Sequence, residues 1–177
     1  AKPATVVLGA ACRLPSTIDA LPAARAAAAA ACDSSLEVPL ARWDVGIYFA
    51  MLADEVQPSD RTYARHGGFA EGVELFDAPF FAISASEAAT MDPGQRLLLE
   101  ICFEAAATAD RDRETLTGTE AGVVTAQFQN DWPVVRALSG AVPNAHAGPG
   151  LAPSIAANRL SYSLGLEGPS LAVDTAC

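Results

Sequence analysis

The spacing of apolar residues changes several times along the chain, and each change predicts an element. Thr5-Val-Val-Leu8 is a short β-branched run closed by Gly9. That is the pattern of a strand buried on both faces in a parallel sheet. Ile18 to Cys32 predicts a helix, with an unbroken alanine run from Ala26 to Ala31. Alanine favours helix but offers little area to bury, so this helix should pack weakly. From Leu36 to Gly68 the punctuation is that of loops, with Pro39, Gly46, Pro58, Gly67 and Gly68. Phe69, Phe76, Phe80 and Phe81 follow, and aromatics so dense in a loop-rich stretch predict anchors on the core. The clearest helix is Asp92 to Ala109. Asp92 can cap it, Pro93 takes the first helical position and Gln95 stands three residues after the cap. Leu97, Leu98, Ile101, Ala105 and Thr108 keep one face. Gly122-Val-Val-Thr125 predicts the next buried strand, and Phe128 to Gly150 reads as irregular, broken by Pro133, Pro143, Pro149 and several glycines. Ser154 to Leu164 predicts a second helix closed by Gly165. Gly168-Pro169 then turns the chain into a last short strand, Leu171-Ala-Val173.

Strands alternating with helices predict an α/β class with a mostly parallel sheet. No short repeat and no linker divides residues 1–177, so one domain is expected. At 177 residues, 51% apolar and 18% charged, the chain can bury a core and does not read as disordered. Its net charge of −10 argues against nucleic acid or an anionic membrane as main partner. No apolar run approaches the ~18 residues of a membrane span. Thr5 to Ala11 is too short for a signal-peptide core, and Arg13 ends it. Cys12, Cys32, Cys102 and Cys177 form no CxxC pair and no metal spacing with histidine, so neither a disulfide framework nor a metal site is expected. Free thiols fit a reducing compartment, the cytoplasm or an organelle such as a plastid. The chain opens on Ala1 and stops on Cys177, and both ends read as cut from something longer.

The candidate chemistry lies at that last cysteine. A short apolar strand running into a tight turn can present a thiol at a strand–helix junction. A helix beginning there would lower the thiol pKa through its N-terminal dipole, and the turn's N–H could stabilise an oxyanion. By composition alone, a free cysteine is more often a small buried hydrophobe.

The wider pattern favours the reactive reading. The stretch from Pro153 through Asn158-Arg159, Gly168-Pro169 and Val173-Asp-Thr-Ala-Cys177 resembles the active-site segment of β-ketoacyl synthases. The match is best to the ketosynthase domains of modular type I polyketide synthases. Other segments agree in order: Gly9-Ala-Ala-Cys-Arg-Leu-Pro15, Val38-Pro-Leu-Ala-Arg-Trp-Asp44, Tyr63-Ala-Arg-His-Gly-Gly-Phe69, Phe76-Asp-Ala-Pro-Phe-Phe-Ala-Ile-Ser84 and Met91-Asp-Pro-Gly-Gln-Arg-Leu-Leu-Leu-Glu100. The resemblance implies the N-terminal half of a thiolase-like fold, over residues 1–177 and cut at the nucleophile. It implies that Cys177 carries the growing acyl chain as a thioester and supplies one oxyanion N–H. The acyl chain would then condense with a malonyl-type extender on an acyl carrier protein, with decarboxylation providing the carbanion. No cofactor would be bound directly, since the phosphopantetheine arm belongs to the carrier protein. Dimerisation through the Leu171–Val173 strand is implied as well. A fatty-acid ketosynthase is a weaker relative, disfavoured by the Arg-Trp-Asp and Tyr-x-Arg-His-Gly-Gly-Phe segments.

The family's two catalytic histidines and its lysine follow the cysteine, and so would lie beyond residue 177. Neither His66 nor His146 matches those positions, and Lys2 is the sole lysine. As an isolated chain, Cys177 would carry a terminal carboxylate, which raises a thiol pKa, and would lack the following helix. The chain alone is therefore expected to be inactive in condensation. The alternative reading is a non-catalytic thiolase-fold module for interaction or dimerisation. Asp174 reads as a turn-fixing residue and Arg159 as an ion-pair partner. Trp43 and Trp132 read as packing anchors, and Cys12, Cys32 and Cys102 as inert core thiols. Departures from the family pattern include Gly94 early in the long helix, Phe103-Glu-Ala-Ala-Ala-Thr108 with its smaller buried face, and Ser84-Ala-Ser-Glu87.

Overall fold

A computed structural model describes residues 4–49, 62–127, 131–142 and 144–174. Two units emerge, Cys12–Gly72 and the combination of Ala1–Ala11 with Val73–Cys177. In the first, α1 spans Leu21–Ala29 and buries none of its residues. It is shorter than the expected helix. Proline stands in its first turn and Ala31 leaves it with φ +48. The short strands β1 (Leu36–Glu37) and β2 (His66–Gly67) pair antiparallel. Between them in sequence, α2 (Val45–Tyr48) starts at Asp44, whose carboxylate accepts from the Gly46 N–H at 2.8 Å. Arg65 Nε lies 2.8 Å from Glu37 Oε1 beside the ladder, with both side chains about half exposed. A ladder of two residues per strand leaves no alternation to read, which is why this stretch reads as loop in sequence.

The second unit holds α3 (Ala85–Ala88), α4 (Pro93–Ala107), α5 (Arg113–Leu116), β3 (Val123–Ala126), α6 (Trp132–Leu138), α7 (Ala147–Leu151), α8 (Ile155–Leu164) and β4 (Ser170–Val173). β3 and β4 pair in parallel, Val123 opposite Ser170 through Ala126 opposite Val173. Parallel neighbours need a long crossover, and residues 127–169 supply it. Within it, α8 packs on both strands and on α4. The core gathers Phe81, Ile83, Met91, Leu99 and Leu160, with Phe76, Phe103 and Val123 packed against them. Of the phenylalanines expected as anchors, Phe81 is buried in this core and Phe76 packs against it, while Phe80 is 44% exposed and meets Phe81 and Phe103 edge-on, at 4.9 and 4.8 Å between centroids.

Three sequence expectations are corrected here. Thr5 to Leu8 forms no strand ladder, and Val6, Val7 and Leu8 are largely exposed. The segment is tied down just after it, where the Ala10 N–H donates to Thr108 Oγ1 at 3.0 Å. β-branched residues make a run capable of pairing, but a strand also needs a neighbour in register. The stretch read as irregular before Gly150 contains α6 and α7. Pro133 and Pro149 do not break these helices because each falls in a first turn, where the backbone N–H has no helical partner anyway. Gln95 does not complete a capping box. Asp92 caps α4 alone, accepting from the Gly94 N–H at 2.6 Å, and Gln95 is buried.

The turn from α8 into β4 is closely stitched. Gly165 ends α8 in the left-handed region at φ +69. Its carbonyl accepts from the Gly118 N–H at 2.7 Å, the Glu167 N–H donates to Thr119 O at 2.8 Å, and the Val123 N–H donates to Pro169 O at 2.8 Å. At Gly168 the backbones approach so closely that a Cβ would stand 2.4 Å from the Glu120 carbonyl oxygen. Gly168→Ala is therefore expected to lower unfolding stability by about 1–3 kcal/mol, as overpacking does. Leu99→Ala, at a fully buried position, is expected to cost about 2–5 kcal/mol. Denaturant titration of the natural protein measures both.

Candidate active site

Ligands of parallel sheets gather outside the carboxyl ends of the strands. Here β3 and β4 end side by side, Ala126 opposite Val173, and the chain continues as Gln127 and Asp174. Between these ends and the start of α8 lies a groove of about 190 Å³, lined by Gln127, Pro153, Ser154, Ala172, Val173 and Asp174. Its walls are mostly small or apolar, with one amide, one hydroxyl and one carboxylate. The expected nucleophile, Cys177, lies outside the described residues, as do Thr175 and Ala176. In sequence it comes three residues after Asp174, which lines the groove.

A partly buried polar cluster links α8 to α3 and α4. Arg159 on α8 sets its guanidinium NH1 2.5 Å from Glu87 Oε1 of α3, with the two side chains 9% and 24% exposed. Its Nε donates to Gln95 Oε1 of α4 at 3.0 Å. The Gln95 amide nitrogen donates in turn to the Pro149 and Ala152 carbonyls, at 3.3 and 3.1 Å. The ion pair expected of Arg159 is therefore present. Its partners Glu87 and Gln95 were not legible, because their separation of 64 to 72 residues from Arg159 carries no local pattern.

The remaining candidates fall elsewhere. Cys102 packs against the core, and burial pushes its thiol pKa up, which suits an inert residue. Cys12 is half-buried, but Cys32 is exposed, contrary to the expectation of a core thiol. The helix before it, α1, buries nothing, so the cysteine three residues past its end finds no core to enter. His66 is exposed on β2, and the His146 N–H donates to Asn144 Oδ1 at 2.9 Å just before α7. Trp132 is an anchor: its indole N–H donates to the Thr90 carbonyl at 3.0 Å, and the Arg96 guanidinium sits 5.9 Å from its ring centre. Burial pulls the Arg96 pKa down, against Asp92 and Glu100, which raise it. Trp43 is partly exposed. A second cleft of about 230 Å³, lined by Asp92, Pro93, Asp131, Trp132 and Val135, carries no thiol, hydroxyl or imidazole. Among the described residues no group of three His, Cys, Asp or Glu could hold a metal, and no helix is long and apolar enough to cross a membrane.

Comparison with known proteins agrees with this architecture. Residues 3–177 match the family described as beta-ketoacyl synthase, N-terminal domain. A phenolphthiocerol/phthiocerol polyketide synthase of Mycobacterium tuberculosis (strain CDC 1551 / Oshkosh) is 39% identical over 177 residues, all of this chain and 11% of that protein. The pikromycin polyketide synthase component PikAII of Streptomyces venezuelae is 39% identical over 173 residues, 97% of this chain and 4% of its own. Among solved structures, the oxazolomycin ketosynthase domain OzmH KS7 of Streptomyces albus JA3453 superposes with a TM-score of 0.79 at 31% identity, over 96% of this chain and 29% of that one. The ketosynthase from module 6 of the bacillaene synthase of Bacillus subtilis 168 gives 0.76 at 28% identity, over 96% and 26%. The chain thus spans about a tenth or less of the curated relatives' length and under a third of each solved neighbour. Those neighbours are ketosynthase domains of thiolase-like fold, and the helices and parallel pair of this chain are those of its N-terminal half. The chain belongs to the β-ketoacyl synthase family, whose N-terminal domain it matches almost from end to end.

Proposed function

We propose that these residues are the nucleophile-bearing half of a polyketide-type ketosynthase, and that Cys177 is the acyl acceptor. The observation that carries this is the groove at the carboxyl ends of β3 and β4, entered by the same strand whose sequence runs on through Asp174 to Cys177. The Cys177 thiolate attacks the carbonyl of an acyl thioester, and the donor's thiol leaves as the new thioester forms. A malonyl-type extender, held on the phosphopantetheine arm of an acyl carrier protein, then loses CO₂. Its carbanion attacks the acyl carbonyl, a carbon–carbon bond forms and the Cys177 thiolate is released. The relatives are polyketide synthases by name, which supports acyl thioesters and a carrier protein as the partners here. Free thiols at Cys12, Cys32 and Cys102 fit a reducing compartment such as the cytoplasm.

A homodimer is the second part of the proposal. On the parallel pair, Val124, Leu171 and Val173 are 68%, 54% and 39% exposed. Apolar side chains gathered on one strand pair mark an interaction surface, and a second copy meeting β4 would cover it.

Two measurements decide these points. With the natural protein and an acyl N-acetylcysteamine thioester, one acyl group should appear on the Cys177 peptide by mass spectrometry, and Cys177→Ala should abolish it. Acyl transfer that survives Cys177→Ala, or that never occurs, overturns the catalytic reading. Leu171→Asp should shift the protein from dimer toward monomer in analytical ultracentrifugation; an unchanged assembly state rules out dimerisation through β4.

A further inference from the structure

We infer that the partly buried cluster of Glu87, Arg159 and Gln95 is a positioning device: it sets the placement of α8 and, through α8, the carboxyl end of β4 from which the acyl acceptor is presented. The inference rests on the functional reading above and adds to it three residues that do not touch the substrate.

α8 buries Ala156, Ala157, Leu160, Ser161, Ser163 and Leu164. Such a face, four of its six residues small, offers few bulky side chains to interlock, and it specifies poorly where along its axis the helix rests. Arg159 supplies the direction. Its planar guanidinium bonds two elements at once, Glu87 of α3 at 2.5 Å and Gln95 of α4 at 3.0 Å. Gln95, 2% exposed, spends its amide hydrogens on the Pro149 and Ala152 carbonyls, which lie in the segment leading into α8. The start of α8 is thus gripped by the same network that grips its middle. An ion pair partly withdrawn from water adds little net stability compared with an apolar pair of the same volume, so its effect here is on geometry.

That geometry reaches the groove by two short routes. Pro153 and Ser154, at the start of α8, form one wall. At the other end α8 runs into β4 through only residues 165–169, held to residues 118–123 by the Gly118, Glu167 and Val123 N–H bonds. Ala172, Val173 and Asp174 then form the opposite wall. A shift of α8 therefore moves both walls together.

The test uses the natural protein with Arg159→Met, which keeps volume but no polar contact, and Arg159→Lys, which keeps the charge but not the fork. Leu99→Ala serves as a control that loosens the adjoining core while leaving all three residues of the cluster in place. Each is assayed for thermal unfolding, for the rate of Cys177 alkylation by iodoacetamide read on its peptide, and for acyl transfer to Cys177. Arg159→Met should lower alkylation and acyl transfer by about tenfold to a hundredfold, the cost of a small misplacement. The Leu99→Ala control, though less stable, should keep both rates near those of the unaltered protein. Arg159→Lys should lose reactivity at an unchanged melting temperature. Wild-type rates in both Arg159 variants, or losses that merely follow the melting temperature across all three, overturn the proposal. If the unaltered protein accepts no acyl group, the functional reading fails, while the alkylation rates still decide the positioning claim.

Discussion

Two parallel strands can lie side by side only if the chain leaves the end of one and returns to the start of the other. In this protein that constraint organises everything around the site. The return path from β3 to β4 must climb back along the strands, and α8 is the part of it that packs on both. The Gly165 turn then delivers the chain to β4 at the level of Val123, so that the two strands end together at Ala126 and Val173. The groove is the direct result: it is the space left where paired strands stop and the helix that crosses between them starts.

The packing behind that pairing is uneven. Around Phe81, Met91, Leu99 and Leu160 the core is tight and aromatic-rich. Around α8 it depends on alanines and serines, with Ser161 and Ser163 buried beside Ala156 and Ala157. Small residues let the helix come close to the strands, and a close helix leaves little volume with which to lock it. Polar contacts that fix direction are then the available means of specifying its position.

Local chemistry made much of this legible in the sequence. Asp92 capping α4, Gly165 ending α8, and the strands around Val123 and Leu171 all stand where their own neighbours place them, although β3, expected to be buried, buries only Thr125 and leaves Val124 exposed. What failed was whatever depended on distant partners. Val6 to Leu8 has the composition of a strand but no ladder. Gln95 sits where a capping residue would, yet it turns inward because Arg159 and two carbonyls meet it there. Pro133 and Pro149 read as breakers until the helices they open are seen. The nucleophile itself was legible only through the motif that ends in Val173-Asp-Thr-Ala-Cys177, and its geometry lies outside the described residues.

The two tryptophans fall one to each unit, Trp43 among residues 12–72 and Trp132 in α6. Trp43 is partly open to solvent, while the Trp132 indole is hydrogen-bonded to Thr90 and faced by the Arg96 guanidinium. Indoles in such different surroundings emit differently, the wetter one at longer wavelength. The chain therefore carries a separate optical label for each of its units, and intrinsic fluorescence can follow the melting of the strand-crossing region apart from that of the β1–β2 region without any added dye.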